Sequence, residues 1–181
     1  MVERWQRLLR LRELRRRGDQ RYSLVALFFG LLLPSGYESA GAVAWLRGWP
    51  RPDLVAGKGR LVLGNIGLYP GTRLHCADGA RIEIGDGTYL NHNTRCFARE
   101  RITIGRDCMI SWRGLITDCH GEADAPEPVE IGEGAWIGSH VTVLGGTRLG
   151  PGCTVAAGSV VRGAFPAGSV LAGKPAEVVA P

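Results

Sequence analysis

The sequence lacks closely spaced cysteines, although it contains five cysteines among its 181 residues. No two of them form a Cys-x-x-Cys motif, and their number is odd. Paired spacing is typical of zinc sites and disulfide frameworks, so the sequence favours neither class. We therefore expect free, largely buried thiols in a reducing compartment, and the cytoplasm is the predicted location. The five residues are Cys76, Cys96, Cys108, Cys119 and Cys153.

A long hydrophobic run is also missing. The apolar stretch at residues 24–34 is too short to cross a bilayer as a helix, and no typical signal-peptide cleavage pattern follows it. Residues 1–21 carry eight arginines. Two interpretations of residues 1–34 stay open: a helical cap on the folded domain or on a partner subunit, and a peripheral contact with the anionic inner face of a membrane. No nucleic-acid-binding module is recognisable, so nucleic acid is not a predicted partner.

The charges divide the chain into two parts. Residues 1–60 contain twelve arginines or lysines against five acidic residues, which gives a formal charge of +7, whereas the remainder carries −2. We predict a basic, partly helical N-terminal extension over residues 1–60 and one repeat domain over residues 61–181.

A six-residue repeat is the strongest pattern in the sequence. From Ile131 to Val161 an aliphatic residue returns at every sixth position, and a small or β-branched residue follows each of the first five four places later. This period is neither the 3.6 of a helix nor the 2 of an isolated strand. It is typical of a parallel β-helix, in which each unit forms a short strand and a corner and three units complete a coil.

The same period extends upstream with interruptions that predict loops. A small loop is expected around residues 76–80, and the fifteen-residue step from Ile116 to Ile131 predicts a larger one over 121–128. Beyond Val161, a C-terminal tail is expected to fold back over the last coil. The predicted inward columns are Val62, Leu68, Leu74, Ile84, Leu90, Cys96, Ile104, Ile110, Ile116, Ile131, Ile137, Val143, Leu149, Val155 and Val161.

Four segments carry a resemblance to a known family. They are Leu-Asn-His-Asn from residue 90, Trp-Ile-Gly-Ser-His-Val from residue 136, Val-Ala-Ala-Gly-Ser-Val-Val from residue 155, and Leu-Ala-Gly-Lys-Pro-Ala from residue 171. Over roughly residues 60–178 the chain resembles the hexapeptide-repeat acyltransferases, in particular the sugar and polysaccharide O-acetyltransferases. The resemblance implies an all-β fold, a left-handed parallel β-helix of about five coils. It also implies a homotrimer with acetyl-CoA bound between neighbouring subunits, and no metal.

His120 is the predicted general base. It lies four residues after Ile116, where a continuing coil would place a small corner residue and where the chain instead leaves the wall. Histidine suits proton transfer near neutral pH, and His120 matches the family's catalytic histidine in motif and loop position. Asn91 matches an active-site asparagine of the family, with Asn93 as the alternative. Asp118 is expected either to orient the His120 imidazole or to face solvent.

The resemblance also implies a set of residues that bind acetyl-CoA. Trp136 would pack near the thioester or pantetheine arm, and Ser139 would donate its backbone N–H to the thioester carbonyl. Ala157 and Gly158 would let the pantetheine approach the backbone, and Arg162 and Lys174 would approach the phosphates. In this chain Glu177 stands where the family often has a basic residue.

These observations predict transfer of an acetyl group from acetyl-CoA to a hydroxyl of a sugar or cell-surface polysaccharide precursor. Two alternatives stay open: a non-catalytic β-helical scaffold or binding protein, and an acyltransferase acting on an amino sugar or another small acceptor. A zinc enzyme of the γ-carbonic anhydrase type is disfavoured, because the four histidines include no compact His-x4-His pair.

Overall fold

The computed structural model describes residues 37–39, 43–45, 52–121 and 124–180, and within these ranges the chain forms strands and turns but no helix. The first three coils each contain three strands. These are β1 (Tyr37–Ser39), β2 (Val43–Trp45), β3 (Asp53–Val55), β4 (Arg60–Leu63), β5 (Ile66–Leu68), β6 (Arg73–Cys76), β7 (Arg81–Ile84), β8 (Tyr89–Leu90) and β9 (Arg95–Ala98).

Three further coils and an incomplete seventh follow. Their strands are β10 (Arg101–Ile104), β11 (Met109–Ile110), β12 (Leu115–Thr117), β13 (Val129–Ile131), β14 (Trp136–Ile137), β15 (Thr142–Val143), β16 (Arg148–Leu149), β17 (Thr154–Val155), β18 (Val160–Val161), β19 (Ala164–Phe165), β20 (Val170–Gly173) and β21 (Ala176–Ala180).

From β1 to β20 every third strand joins the same sheet in parallel, which produces three sheets around one axis. Sheet A contains β1, β4, β7, β10, β13, β16 and β19; sheet B contains β2, β5, β8, β11, β14, β17, β20 and β21; sheet C contains β3, β6, β9, β12, β15 and β18. The all-β, parallel β-helical class predicted from the sequence is therefore confirmed. The chain turns at three edges, which we call the A–B, B–C and C–A edges after the sheets they connect.

The inward side chains form one continuous core. Fourteen of the fifteen predicted column residues are buried, and Val62 is the exception. In β4 the fully covered side chains are those of Leu61 and Leu63, so Val62 faces outwards. The period fails here because the chain takes only five residues from Leu63 to Leu68 instead of six.

The β-helix begins earlier than the repeat indicated. Strands β1 to β3 lie within the segment predicted to be an extension, yet they pair in parallel with β4, β5 and β6. The structure thus has six coils and part of a seventh, instead of about five. The helix predicted within residues 1–34 lies outside the described residues.

The predicted C-terminal tail closes the opposite end. Strand β21 reverses direction and pairs antiparallel with β20, next to the last coil. The turn between them contains a cis peptide bond between Lys174 and Pro175. Pairing with β21 covers the edge of β20, which would otherwise present unpaired backbone groups.

Candidate active site

The chain leaves the C–A edge after β12 and returns before β13. The base of this excursion is closed by a backbone hydrogen bond, in which the N–H of Glu127 donates to the carbonyl oxygen of Asp118 at 2.8 Å. The N–H of Gly146, from the next coil, donates to the carbonyl oxygen of Glu127 at 3.1 Å. The excursion is therefore anchored to the wall on both sides. The predicted loop 121–128 falls within it.

His120 lies at the start of this excursion with its side chain 22% exposed. Its Nε2 atom is 3.7 Å from Oε1 of Glu127. The same carboxylate oxygen accepts a hydrogen bond from Nη2 of Arg162 at 2.9 Å. The distance from His120 is longer than a hydrogen bond but short enough for an electrostatic contact. Imidazole, carboxylate and guanidinium thus form one cluster, which leaves an edge of the imidazole open to solvent.

Asp118 does not belong to this cluster. Its side chain is completely buried, and its carboxylate accepts backbone hydrogen bonds of 2.7–3.0 Å from Arg99, Glu100 and Arg101. It therefore holds the preceding turn of the C–A edge in place. Both roles predicted for Asp118 are corrected: no hydrogen bond joins it to His120 in the described residues, and it does not face solvent.

Two glycines form the floor beneath the excursion. A Cβ atom added to Gly145 would lie 2.6 Å from the carbonyl oxygen of Asp118 and 3.1 Å from that of Glu127. Gly146 adopts a φ of 78° and faces the Glu127 carboxylate directly. A side chain at Gly145 would push both ends of the excursion outwards. The position of His120 thus depends on the absence of a side chain in the neighbouring coil.

Cys119 carries a thiol close to the same cluster. Its Sγ atom donates to Oδ1 of Asp118 at 3.2 Å. Burial raises the pKa of the Cys119 thiol above its ordinary value, and the hydrogen bond and the charge of Asp118 raise it further. The thiol is therefore mostly protonated at neutral pH, and a protonated thiol is a poor nucleophile. The other four cysteines are buried, and all five are free, as predicted.

The residues predicted to bind acetyl-CoA lie mainly at the B–C edge. Ser139 and Ala157 occupy equivalent positions in successive turns, and neither backbone N–H donates to another backbone group in the described residues. The N–H of Gly158 donates to the carbonyl oxygen of Ser139 at 2.8 Å, so the turns stack directly. Two neighbouring N–H groups are therefore available to an acceptor on a ligand.

Asn91 lies at the same B–C edge, two coils before Ser139. Its Oδ1 accepts hydrogen bonds from the backbone N–H of His92 at 2.9 Å and faces Nδ1 of the same residue at 2.8 Å. The His92 ring packs against Tyr69 with a centroid distance of 5.0 Å. Asn93, the alternative, adopts a left-handed φ of 59°. The Asn91 side chain thus orients His92. Within a single chain, Asn91 and His120 lie at different edges of the β-helix.

Trp136 points outwards from sheet B and is 51% exposed. It lies beside Met109 on the adjacent strand, and Trp112 at the B–C edge is 57% exposed. These side chains form an apolar surface next to the Ser139 turn. Trp112 was not singled out from the sequence.

The two predicted phosphate-binding residues lie in separate parts of the β-helix. Arg162 lies at the C–A edge, paired with Glu127 as described above. Lys174 lies in the turn between β20 and β21, and its ammonium group makes no ion pair in the described residues. Glu177 is exposed on β21. A single chain therefore does not bring Arg162 together with Ser139 and Ala157.

Sequence reasoning missed Glu127 and Gly145. Each had a weak signal: Glu127 is an acidic residue between two prolines shortly before the repeat resumes at Ile131, and Gly145 belongs to a double glycine at a corner where single glycines are usual. In the described residues, no group of three His, Cys, Asp or Glu side chains is placed to bind a metal ion. No helix in those same ranges is long and apolar enough to cross a membrane.

Stacked six-residue units around three sheets define a hexapeptide-repeat protein. Residues 128–163 match the family "Bacterial transferase hexapeptide (six repeats)". This segment is thus similar to the hexapeptide-repeat transferases, the family that the sequence resembles.

The chain is also similar in sequence to individual proteins. The chain is 35% identical to the putative lipopolysaccharide biosynthesis O-acetyl transferase WbbJ of Escherichia coli K12, over 60% of this chain and 65% of the relative. It is 38% identical to serine acetyltransferase 2 of Arabidopsis thaliana, over 53% of this chain and 29% of the relative. It is thus similar to less than two thirds of either protein.

A solved structure gives a similar result. The hexapeptide-repeat acetyltransferase VCA0836 of Vibrio cholerae, complexed with acetyl coenzyme A, is 29% identical. The match has a TM-score of 0.55 and covers 59% of this chain and 63% of that one. The chain is thus similar to part of several proteins that are named as acetyltransferases.

Proposed function

We propose that the protein transfers an acetyl group from acetyl-CoA to a hydroxyl of a sugar or cell-surface polysaccharide precursor. The position of His120 carries the proposal, because its partly open imidazole lies beside a carboxylate where the chain leaves the wall. A hydroxyl is a weak nucleophile until a base takes its proton. A saccharide acceptor is supported by the similarity to an O-acetyltransferase of lipopolysaccharide biosynthesis.

The proposed mechanism uses groups from two edges. His120 removes the proton of the acceptor hydroxyl as its oxygen attacks the thioester carbonyl, and then returns the proton to the leaving thiolate. The Ser139 N–H donates to the oxyanion that develops on the carbonyl. Acetyl-CoA supplies the activated acetyl group as a thioester. In this proposal Trp136 and Ala157 contact its pantetheine arm.

A homotrimer is part of the same proposal. His120 and Arg162 lie at the C–A edge, whereas Asn91, Ser139 and Ala157 lie at the B–C edge of the same chain. If all five residues serve one site, the C–A edge of one subunit must face the B–C edge of its neighbour. The cytoplasmic location and the membrane contact through residues 1–34 also remain proposals.

The acceptor can be identified with a panel. The protein is incubated with acetyl-CoA and acidic or neutral glycan fragments, free sugars, amino sugars or L-serine, and products are detected by mass spectrometry. We expect one added acetyl group on a glycan, released by mild base as an ester would be. Preferred acetylation of serine or of an amino group would contradict the proposed acceptor, and no transfer to any compound would contradict the activity.

Glu127→Gln tests how His120 is held. We expect a lower kcat with an unchanged KM for acetyl-CoA, because the amide keeps the shape but loses the charge that attracts the imidazole. The loss should be smaller than that caused by removing His120 itself. Glu133→Gln, an exposed carboxylate at the A–B edge, is the control and should leave kcat unchanged. Equal kcat values for wild type and Glu127→Gln would contradict the positioning role.

A further inference from the structure

Three arginines stand side by side on the outer face of sheet A. Strand pairing places Arg60 beside Arg81 and Arg81 beside Arg101. Each is the first residue of its strand, and each strand alternates so that this position faces outwards. Since neighbouring strands are about 4.8 Å apart, the three side chains lie in a line of about 10 Å. We call them the arginine column.

The arginine column keeps a surplus of positive charge. Glu83 pairs with Arg81, and Glu130 lies 3.8 Å from Arg101. Among the described residues, no carboxylate lies within 4 Å of Arg60. Like charges in directly neighbouring positions destabilise a sheet. A bound anion would remove this repulsion, and the guanidinium groups are accessible because Arg81 is 39% and Arg101 49% exposed.

The arginine column leads to the candidate active site. Its residues follow the C–A edge directly. Strand β10, which begins at Arg101, pairs with β13 in sheet A, and the excursion that carries His120 ends at β13. Arg99, at the same edge, donates from Nη1 to the carbonyl oxygen of Asp124 in the excursion at 3.2 Å. A chain-like ligand lying on the column would therefore point one end towards His120.

We infer that the arginine column binds an anionic saccharide, a chain carrying carboxylate or phosphate groups, which is the acceptor of the reaction. Guanidinium groups bind carboxylates and phosphates through paired hydrogen bonds, and a line of them matches charges repeated along an extended chain. The role as acceptor rests on the proposed function, whereas the binding itself does not.

The outer face of sheet A favours a saccharide over a membrane or a nucleic acid. A membrane contact combines basic residues with an apolar wedge, and single-stranded nucleic acids use aromatic stacking. None of the large hydrophobic side chains exposed in the described residues lies on sheet A. They are Val55, Met109, Trp112, Trp136, Val178 and Val179.

A matched pair of variants tests this inference. The first carries Arg60→Gln, Arg81→Gln and Arg101→Gln. The control carries Arg73→Gln, Arg95→Gln and Arg148→Gln, which remove equal charge from exposed positions on sheet C and the far end of sheet A. Binding of oligogalacturonate, of its neutral methyl ester and of vesicles with anionic phospholipid is measured at low and high salt. Thermal unfolding checks that both variants fold.

We expect oligogalacturonate to bind the wild type and the control alike, and the column variant about ten-fold more weakly, as the loss of three exposed ion pairs predicts. Added salt should weaken binding, and the methyl ester should not bind. Equal loss in the control would overturn the inference. So would equal binding of the methyl ester, or column-dependent binding of vesicles without binding of oligogalacturonate.

The inference and the proposed function can fail separately. Binding needs no acetyl-CoA, so it should persist in His120→Ala. Acetyl transfer to a glycan without column-dependent binding would contradict the inference and support the proposed function. Column-dependent binding with no acetyl transfer would support the site and contradict both the proposed activity and the role of the ligand as acceptor.

Discussion

Replacing His120 with alanine is expected to lower kcat about 10²–10⁴-fold, the range that a positioned general base contributes. The fold should survive, because the side chain stands outside the core and its one ion-pair contact in the described residues is the 3.7 Å approach to Glu127. KM for acetyl-CoA should change little, since in the proposed mechanism the imidazole acts on the acceptor hydroxyl. Steady-state kinetics with a glycan acceptor, beside a thermal unfolding curve, measures both effects.

A second histidine provides the control for this experiment. His75 lies on the outer face of sheet C, where its Nε2 atom is 3.0 Å from Oδ2 of Asp53 and its ring packs against Phe97. It makes no contact with the proposed site, so His75→Ala should retain the wild-type kcat. A His120→Ala protein that turns over at the wild-type rate would remove the general-base assignment, even if acetyl transfer by the wild type is observed.

The repeat predicted most of the core because the geometry that buries each column is local. One aliphatic residue per six is enough to specify an inward strand position wherever every corner has the same length. The prediction that Val62 points inwards was wrong because the corner between Leu63 and Leu68 is one residue shorter than the regular ones. The spacing of aliphatic residues does not reveal the length of a corner. Strands β1 to β3 were missed for another reason: they are short and are set by backbone pairing with the next coil, so tertiary context decides them.

The candidate site was predictable only in part. The chain exit located His120, because the repeat stops there. Strand alternation, applied strictly, would have turned Asp118 inwards, since it lies two residues after the buried Ile116. Its partners could not be predicted, because they are backbone groups of the preceding coil. Glu127 approaches His120 only because the excursion returns to the same edge and rests on Gly145.

Replacing Asp118 with alanine is expected to lower the free energy of unfolding by about 3 kcal/mol or more, since a hydrogen bond to a charged group contributes about 1.5–3 kcal/mol and removal strands its partners. The Asp118 side chain is completely buried. Its removal would leave three backbone N–H groups without their acceptor, those of Arg99, Glu100 and Arg101. Urea unfolding at a fixed protein concentration measures the change.

The conservative change separates charge from shape. Asp118→Asn keeps one oxygen for these donors but turns an NH₂ group towards the others, so its stability should lie between those of the wild type and Asp118→Ala. Asp124→Ala, an exposed acid in the same excursion, should unfold like the wild type. Wild-type stability of Asp118→Ala would show that the turn of the C–A edge does not need this carboxylate. The excursion that carries His120 would then have to be held by backbone hydrogen bonds, from Glu127 to Asp118 and from Gly146 to Glu127.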